Sequence, residues 1–292
     1  MDKPSKIAVL GASSFVGECV IQRLRKDGRH AVAFSRSPHD GKTGSDVMWV
    51  QLSPSVPTSC EVPPIKEWLC VAPIWVLPQY FSMIEARGAR RVVALSSTSL
   101  FAKKDSSDQS EQVLVRGLRT GEQELRTWAE EQGVEWVILR PTLIYGHGRD
   151  KNVTEIIRFV RRWGFFPLLG RADGLRQPVH AEDVATACVS ALTVPAAGNR
   201  TYNLSGGETL SYREMVRCVF AAIGKAPHLV TIPRWLFRLG VTALRLLPRY
   251  SNWTTEMAER MNRDLVFDHD DAARDLGFSP RPFRLSPHDL PA

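Results

Sequence analysis

The chain of 292 residues has few cysteines, and none of them form a C-x-x-C pair. The five cysteines are scattered along the chain at Cys19, Cys60, Cys70, Cys188 and Cys218. This spacing argues against a disulfide framework and against a zinc site, and it is typical of a reducing compartment. We therefore expect a cytoplasmic protein without a bound metal.

Long apolar runs are also missing. The longest candidate, residues 68–81, is interrupted by Pro78 and Gln79, so it is not a membrane-spanning segment. The first residues show no charged region, apolar region and cleavage site of a signal peptide. With 43% hydrophobic and 24% charged residues, the composition is that of an ordinary soluble globular protein.

Acidic residues are fewer than basic ones. The 38 Lys and Arg exceed the 31 Asp and Glu, which leaves a formal net charge of +7. Such a charge suits anionic ligands, acidic membrane surfaces or nucleic acid. Because the chain contains no basic run and no RNA-binding motif, we expect no nucleic-acid partner.

Residues 6–17, KIAVLGASSFVG, predict a buried strand, a glycine-bounded turn and the start of a helix. The free N–H groups and the positive dipole end of such a helix form an anion site. Ser14 stands where the usual G-x-x-G-x-x-G spacing has its middle glycine. The turn therefore predicts a dinucleotide, and its expected contacts are Gly11, Ser13, Ser14, Phe15, Val16 and Gly17.

A second predicted strand, residues 30–35, is followed directly by Arg36 and Ser37. An acidic residue near this point would bind the ribose 2′-hydroxyl of NAD, whereas an arginine can accommodate the 2′-phosphate of NADP. We therefore expect NADP(H), with NAD(H) as the less favoured cofactor. The alternative is that Arg36 is only a solvated arginine after a strand.

Predicted strands alternate with predicted helices along the rest of the chain. This order predicts a parallel, doubly wound sheet, whose carboxyl edge binds ligands. The further strands are predicted at residues 47–52, 68–72, 91–95, 135–139 and 201–204. The helices are predicted at residues 79–86, 120–131, 152–162, 181–192 and 212–223, with a polar loop at 103–112. At the carboxyl edge we place further cofactor contacts at Ala72, Pro73, Ser96 and Pro141.

Seven motifs spread along the chain resemble those of the extended or atypical short-chain dehydrogenases/reductases of the NAD(P)-dependent epimerase/dehydratase type. They are GASSFVG, FSRS, VVALSSTS, VILRPTLIYG, RQPVHAEDVATA, TYNLSGGETLSYREM and RDLGFSPRPF. The motifs are most similar to those of atypical members that resemble the complex I accessory subunit. The resemblance implies a Rossmann-type doubly wound parallel sheet and a smaller C-terminal α/β substrate domain. A small-molecule substrate would bind in the cleft between them.

The resemblance implies a Rossmann domain of residues 1–165 that is completed by residues 178–208. Residues 166–177 and 209–292 would form the substrate-binding domain.

The family's reaction uses a Tyr-x-x-x-Lys pair, in which the lysine lowers the pKa of the tyrosine. No tyrosine of this chain has a lysine four residues on; the five are Tyr80, Tyr145, Tyr202, Tyr212 and Tyr250. Thr98 still matches the hydroxyl that accompanies the pair in the family. We place Arg116 and Thr120 near the positions of the lost pair.

In sugar-nucleotide members an arginine before the V-H-x-x-D motif contacts the substrate pyrophosphate, and Arg176 matches it. A guanidinium suits a pair of phosphates. The alternative is a surface arginine after a hairpin-like turn at residues 172–174. His180 and Asp183 are expected to cap and pack the following helix.

Residues 233–247 predict a basic, partly apolar helix. Such a helix can lie on an anionic membrane, but we favour packing within the substrate domain or against a second copy. A homodimer stays open.

These patterns predict an NADP(H)-binding reductase or epimerase/dehydratase-like protein that acts on a carbonyl or sugar-nucleotide substrate. The alternative is a non-catalytic NADPH-binding sensor or assembly protein, which the missing tyrosine favours. The retained Thr98 and Arg176 favour the enzyme.

Overall fold

A sheet of seven parallel strands lies at the centre of the computed structural model, which describes residues 6–36, 46–52, 64–233 and 259–291. Its strands are β1 (Ile7–Leu10), β2 (Ala31–Ser35), β3 (Val47–Gln51), β4 (Glu67–Cys70), β5 (Arg91–Leu95), β6 (Glu135–Pro141) and β11 (Arg200–Leu204). The spatial order is β11-β6-β5-β4-β1-β2-β3, and each neighbouring pair is parallel. The predicted parallel, doubly wound sheet is confirmed.

The strands are apolar because both faces of the sheet are covered. Along β1, Ile7 and Val9 face one apolar cluster, whereas Ala8 and Leu10 face another. The first cluster lies under α1 (Phe15–Lys26) and α6 (Ala181–Thr193).

The second cluster, on the other face of the sheet, lies under α2 (Phe81–Ala86), α4 (Gln109–Gln132) and the 3₁₀ turn Ile74–Tyr80. Between these elements, α3 (Ser99–Ala102) follows β5.

A third apolar cluster forms the C-terminal lobe. It brings together α5 (Val153–Trp163) and α7 (Tyr212–Ala222), with Met261 and Phe283. The remaining elements are β7 (Ile144–Tyr145), β8 (Phe166–Leu169), β9 (Leu175–Arg176), β10 (Val179–His180), β12 (Leu210–Ser211), β13 (Leu229–Ile232) and α8 (Asp270–Leu276). Residues 153–163 thus pack with the C-terminal lobe, and the predicted domain boundary at residue 165 stays a prediction.

The helix α4 is longer than predicted. It begins at Gln109 instead of Thr120, because the Asp108 carboxylate caps it by accepting a hydrogen bond from the N–H of Glu111 at 3.1 Å. Two glycines inside the helix obscured its length. At Gly121 a Cβ would lie 2.9 Å from the backbone of Ile74, so this glycine lets the helix pack directly on the 74–80 turn.

The hairpin-like turn predicted at residues 172–174 is wrong as a hairpin. The flanking strands pair elsewhere, β8 with β13 and β9 with β12. Ala172 has a positive φ of 54°, and its N–H donates to the Asn262 side chain at 2.9 Å. The segment is therefore held by a part of the chain that is distant in sequence.

Among the described residues, no helix combines the length and the apolarity that a membrane-spanning segment needs. The same residues contain no group of three or more His, Cys, Asp or Glu side chains arranged to hold a metal ion. The predicted basic helix at residues 233–247 falls, after Pro233, outside the described residues.

Candidate functional site

The turn between β1 and α1 depends on two glycines. Gly11 has a φ of 81°, and a Cβ there would lie 2.6 Å from the backbone nitrogen of Ala72. A Cβ on Gly17 would lie 2.3 Å from the carbonyl oxygen of Gly11. Both positions therefore exclude side chains, and α1 can approach the end of β1 closely.

Ser14 caps α1 and so explains how a serine replaces the usual middle glycine. Its hydroxyl accepts a hydrogen bond from the N–H of Gly17 at 3.1 Å, and its own N–H donates to the carbonyl of Gly11 at 2.9 Å. The first turn of a helix leaves its N–H groups without intrahelical acceptors. Among the described residues, the N–H groups of Phe15 and Val16 then remain to bind an anion.

The end of β2 lies beside this turn. The hydroxyls of Ser13 and Ser35 are 2.9 Å apart, and Arg36 follows with an exposed side chain. This brings Arg36 to the position where a Rossmann fold binds the adenosine ribose. Ser37 lies outside the described residues.

Three more predicted cofactor contacts lie at the carboxyl edge of the sheet. Ala72 abuts Gly11, and Pro73 is exposed at the start of the 74–80 turn. The carbonyl of Pro141 accepts hydrogen bonds from both the N–H and the hydroxyl of Thr98, each at 3.1 Å. These contacts hold the ends of β5 and β6 together beside the cleft.

Ser96 does not point to the turn; its hydroxyl donates to Glu122 of α4 at 2.6 Å. Glu122 is 2% exposed and also pairs with Arg140 and Arg126. Burial alone would raise the pKa of Glu122, but hydrogen bonds from Arg140 and Ser96, together with the charges of Arg140 and Arg126, outweigh burial, and the pKa is lowered. Ser96 therefore belongs to a buried ionic network, and its contact with a cofactor stays a prediction.

A cleft of about 720 Å³ lies between the sheet and the C-terminal lobe. Its wall includes Phe15 from the glycine turn, Thr98 after β5, and Arg176 and Tyr212 from the lobe. One cavity therefore adjoins the glycine turn, the hydroxyl of Thr98 that is predicted to take part in catalysis, and Arg176, which is predicted to bind the substrate phosphates.

Arg176 is 5% exposed and has no carboxylate within ion-pair distance among the described residues. Its guanidinium donates to the carbonyls of Leu175 and Arg263, each at 2.7 Å, and to that of Arg260. It also lies over the ring of Tyr212, 5.6 Å from the centroid. Burial lowers the pKa of Arg176 to about 10, which marks a cation that an anion in the cleft would stabilise.

The cleft face of α4 has neither tyrosine nor lysine. The α4 residues in the cleft wall are Ser110, Glu111 and Leu114. The placement of the lost pair at Arg116 and Thr120 is wrong, because both side chains are exposed and neither lines the cleft.

Leu114 and the buried Leu118, four residues on, take the spacing of the missing pair on this side of the helix.

Sequence patterns did not reveal a charged cluster in the cleft wall. Glu111 is 6% exposed; it pairs with Arg260 at 2.6 Å and with Lys103 at 3.1 Å, and the hydroxyl of Ser106 donates to it at 2.7 Å. Burial opposes ionisation, yet the hydrogen bonds from Ser106 and Arg260 lower its pKa. Since Glu111 and Arg260 are 149 positions apart, no local pattern could have shown this pair.

The structural roles expected for His180 and Asp183 agree with their contacts. Nδ1 of His180 accepts from the N–H of Glu182 at 3.2 Å and so caps α6, while Nε2 lies 3.1 Å from Asp289. Asp183 pairs with Arg281 at 2.8 Å. Neither residue lines the cleft described above.

Comparisons with known proteins agree with this geometry. The model of the "NAD dependent epimerase/dehydratase family" matches residues 79–205. The UDP-glucose 4-epimerase of Vibrio cholerae is 29% identical over 118 residues, which are 40% of this chain and 36% of that protein. The mitochondrial NADH dehydrogenase (ubiquinone) 1 alpha subcomplex subunit 9 of Arabidopsis thaliana is 32% identical over 100 residues, which are 34% of this chain and 25% of that protein.

These sequence matches span half of the relatives' own length or less. Among solved structures, MoeE5 in complex with UDP-glucuronic acid and NAD superimposes with a TM-score of 0.73. It is 20% identical, and the match covers 96% of this chain and 95% of that chain. This likeness shows the fold, and neighbours with this fold bind NAD.

The family motifs, the parallel sheet and the glycine turn at its carboxyl edge point to the same group of proteins. The predicted resemblance is confirmed: residues 79–205 match the NAD dependent epimerase/dehydratase family, and the chain has the Rossmann-type fold of solved epimerase structures.

Proposed function

We propose that this protein binds NADP(H) at the Gly11–Gly17 turn and a nucleoside diphosphate ester of the sugar-nucleotide class in the cleft. It would act there as a reductase or an epimerase/dehydratase-like enzyme on a carbonyl or sugar carbon. The observation that supports the diphosphate most strongly is Arg176, a buried guanidinium in the cleft wall that has no carboxylate partner among the described residues.

The glycine turn fits the pyrophosphate of the dinucleotide. The N–H groups of Phe15 and Val16 are the donors that the Ser14 cap leaves over, and the two glycines keep side chains out of the approach. The exposed Arg36 supports the 2′-phosphate of NADP, because it directly follows β2 and neither Ser35 nor Arg36 is acidic.

The charges in the cleft wall support a dianionic ligand. The wall carries five cationic side chains, Lys103, Arg149, Lys151, Arg176 and Arg260, against three carboxylates, Glu111, Asp150 and Glu155. The local sum is therefore two positive charges, which matches the two negative charges of a diphosphate diester. A neutral carbonyl compound alone would leave Arg176 without an ion-pair partner among the described residues.

The nicotinamide group, when bound, supplies or accepts the hydride. Thr98 would orient a substrate hydroxyl by accepting its hydrogen bond, because the proton of Thr98 is donated to the carbonyl of Pro141 at 3.1 Å. The residue that moves the proton is not the family's tyrosine, since the cleft face of α4 presents Leu114.

A second candidate function is a non-catalytic, NADPH-binding sensor or assembly protein. The observation in its favour is the pair Leu114 and Leu118, which cannot exchange a proton. In this case the two ligands would stabilise the fold without being transformed.

Calorimetric titration with UDP in the presence of NADPH tests the proposed diphosphate site. Arg176→Met should weaken UDP binding at least tenfold, because a charge-assisted pair contributes roughly 1.5–3 kcal/mol. The matched control is Arg171→Met, which removes an exposed arginine of the same lobe that pairs with Asp173 at 2.7 Å. Equal UDP affinity for wild type and Arg176→Met would contradict the proposed site.

A further inference from the structure

The loop at residues 146–150 lies over the first turn of α1. The ring of Phe15 meets that of His147 edge-on, with 6.1 Å between their centroids. One helical turn further on, the carboxylate of Glu18 pairs with the guanidinium of Arg149. Phe15 and Glu18 are three residues apart, so they share one face of the helix, and the loop covers this face.

The loop is held firmly from the other side. A Cβ on Gly146 would lie 2.7 Å from Nε2 of His180, and one on Gly148 would lie 2.6 Å from the nitrogen of Pro291. The N–H of His147 donates to the carboxylate of Asp289 at 3.0 Å. The backbone that presents Arg149 is therefore fixed by close packing.

The side chain of Arg149 is less restricted than its backbone. It is 47% exposed, and that of Glu18 is 43% exposed, so their ion pair is largely screened by solvent and weak. Arg149 and Phe15 both line the cleft. A helix rises about 1.5 Å per residue. The backbone of Glu18 therefore lies only about 4.5 Å along the helix axis from that of Phe15, whose N–H is a donor at the turn.

We propose that Arg149 is a further cofactor-binding residue, which leaves Glu18 and pairs with the pyrophosphate of the dinucleotide bound at the start of α1. This inference rests on the proposed NADP(H) site. In the free protein Glu18 is the local counter-charge for Arg149. The pyrophosphate offers two charges and several acceptor oxygens to the same guanidinium, which suits its two-pronged geometry.

The proposal predicts opposite effects for the two partners of one ion pair. Arg149→Gln should weaken NADPH binding about tenfold, and the loss should shrink at high salt because part of the attraction is screened. Glu18→Gln should strengthen NADPH binding about threefold, because it removes both the competitor and a negative charge near the pyrophosphate. Arg149→Lys keeps the positive charge but not the bidentate geometry of the guanidinium. Its affinity for NADPH should therefore lie between those of wild type and Arg149→Gln.

The measurement is calorimetric or fluorescence titration of NADPH, with circular dichroism of each variant to confirm folding. The matched control is Arg158→Gln, which removes another exposed arginine from an ion pair, with Glu155 at 2.6 Å, and should leave the affinity unchanged. If Arg149→Gln and Glu18→Gln weaken NADPH binding equally, the ion pair only holds the loop against α1, and the proposal is wrong. Unchanged affinity in Arg149→Gln would also overturn it, whereas a wild type that binds no NADPH would overturn the proposed function itself.

Discussion

Gly17→Ala tests whether the approach of α1 to β1 forms the dinucleotide site. The new Cβ would lie 2.3 Å from the carbonyl oxygen of Gly11 and 2.7 Å from that of Ala12. An ordinary contact is 3.4 Å or more, so the overlap with Gly11 is about 1 Å. Both atoms belong to the backbone, and α1 must therefore move away from the turn.

Overpacking of this kind costs typically about 1–3 kcal/mol, and we expect about 3 kcal/mol because no flexible side chain can yield. The displacement should also move the N–H donors of Phe15 and Val16 and weaken NADPH binding at least tenfold. Urea unfolding followed by circular dichroism measures the first effect, and titration with NADPH measures the second.

The matched control is Gly28→Ala, two residues beyond the other end of α1. Gly28 has a φ of 66° but nothing within 4 Å of an added Cβ, so the change should cost about 1–2 kcal/mol from backbone strain and leave NADPH binding intact. Wild-type affinity in Gly17→Ala, or an equal loss of affinity in both variants, would refute the assignment of the site to this turn.

Three further predictions follow from the cleft and its surroundings. The double change Leu114→Tyr and Leu118→Lys should raise NADPH oxidation with sugar-nucleotide substrates above the wild-type level. If a folded variant that binds the cofactor shows no gain, Leu114 and Leu118 do not occupy the positions of the missing tyrosine and lysine. Glu122→Gln should reduce the free energy of unfolding by about 3–5 kcal/mol, because it leaves Arg140 without its buried partner; the exposed Glu124→Gln on the same helix is the control, and equal stabilities in urea would contradict the prediction. The folded-state pKa values of Asp289, Glu111 and Glu122 lie below the ordinary values of 3.8 and 4.5, so their stabilising effect is complete above about pH 4.5 and is lost as the pH falls through the folded values. Asp289→Asn should flatten this acid-side loss of stability in pH-dependent urea titrations, and an unchanged slope would count against the assignment.

The sheet and the glycine turn could be predicted because their signals are local. The strand Ile7–Leu10 is apolar on both faces, and Gly11 and Gly17 mark the turn within a few residues. The cap at Ser211 was also predictable, since its hydroxyl and Glu214 form a capping box within one turn.

The start of α4 was not predictable to the same degree. Its polar first turn reads as a loop, and the glycines at 117 and 121 lower helix propensity. Tertiary packing explains why glycines stand at these positions, because Gly121 packs on the backbone of Ile74 and Gly117 lies against the ring of Trp75. The prediction that the lost pair lies at Arg116 and Thr120 is wrong because the face that α4 presents to the cleft depends on where the helix packs.

Contacts between distant segments were beyond the reach of sequence patterns. Glu18 meets Arg149 across 131 positions, and Glu111 meets Arg260 across 149. Each of these residues alone resembles an ordinary surface charge. Only the folded arrangement shows that the buried Glu111 pairs with the partly buried Arg260 in the wall of the cleft.

The most direct test of the account is calorimetric titration of the wild-type protein with NADPH and with NADH. We predict that NADPH binds more tightly, and that Arg36→Ala weakens NADPH about tenfold, or about 1.4 kcal/mol, while NADH is unaffected. Arg25→Ala, an exposed arginine of α1, should change neither affinity. Equal affinities for the two cofactors, a preference for NADH, or no binding of either would contradict the central claim.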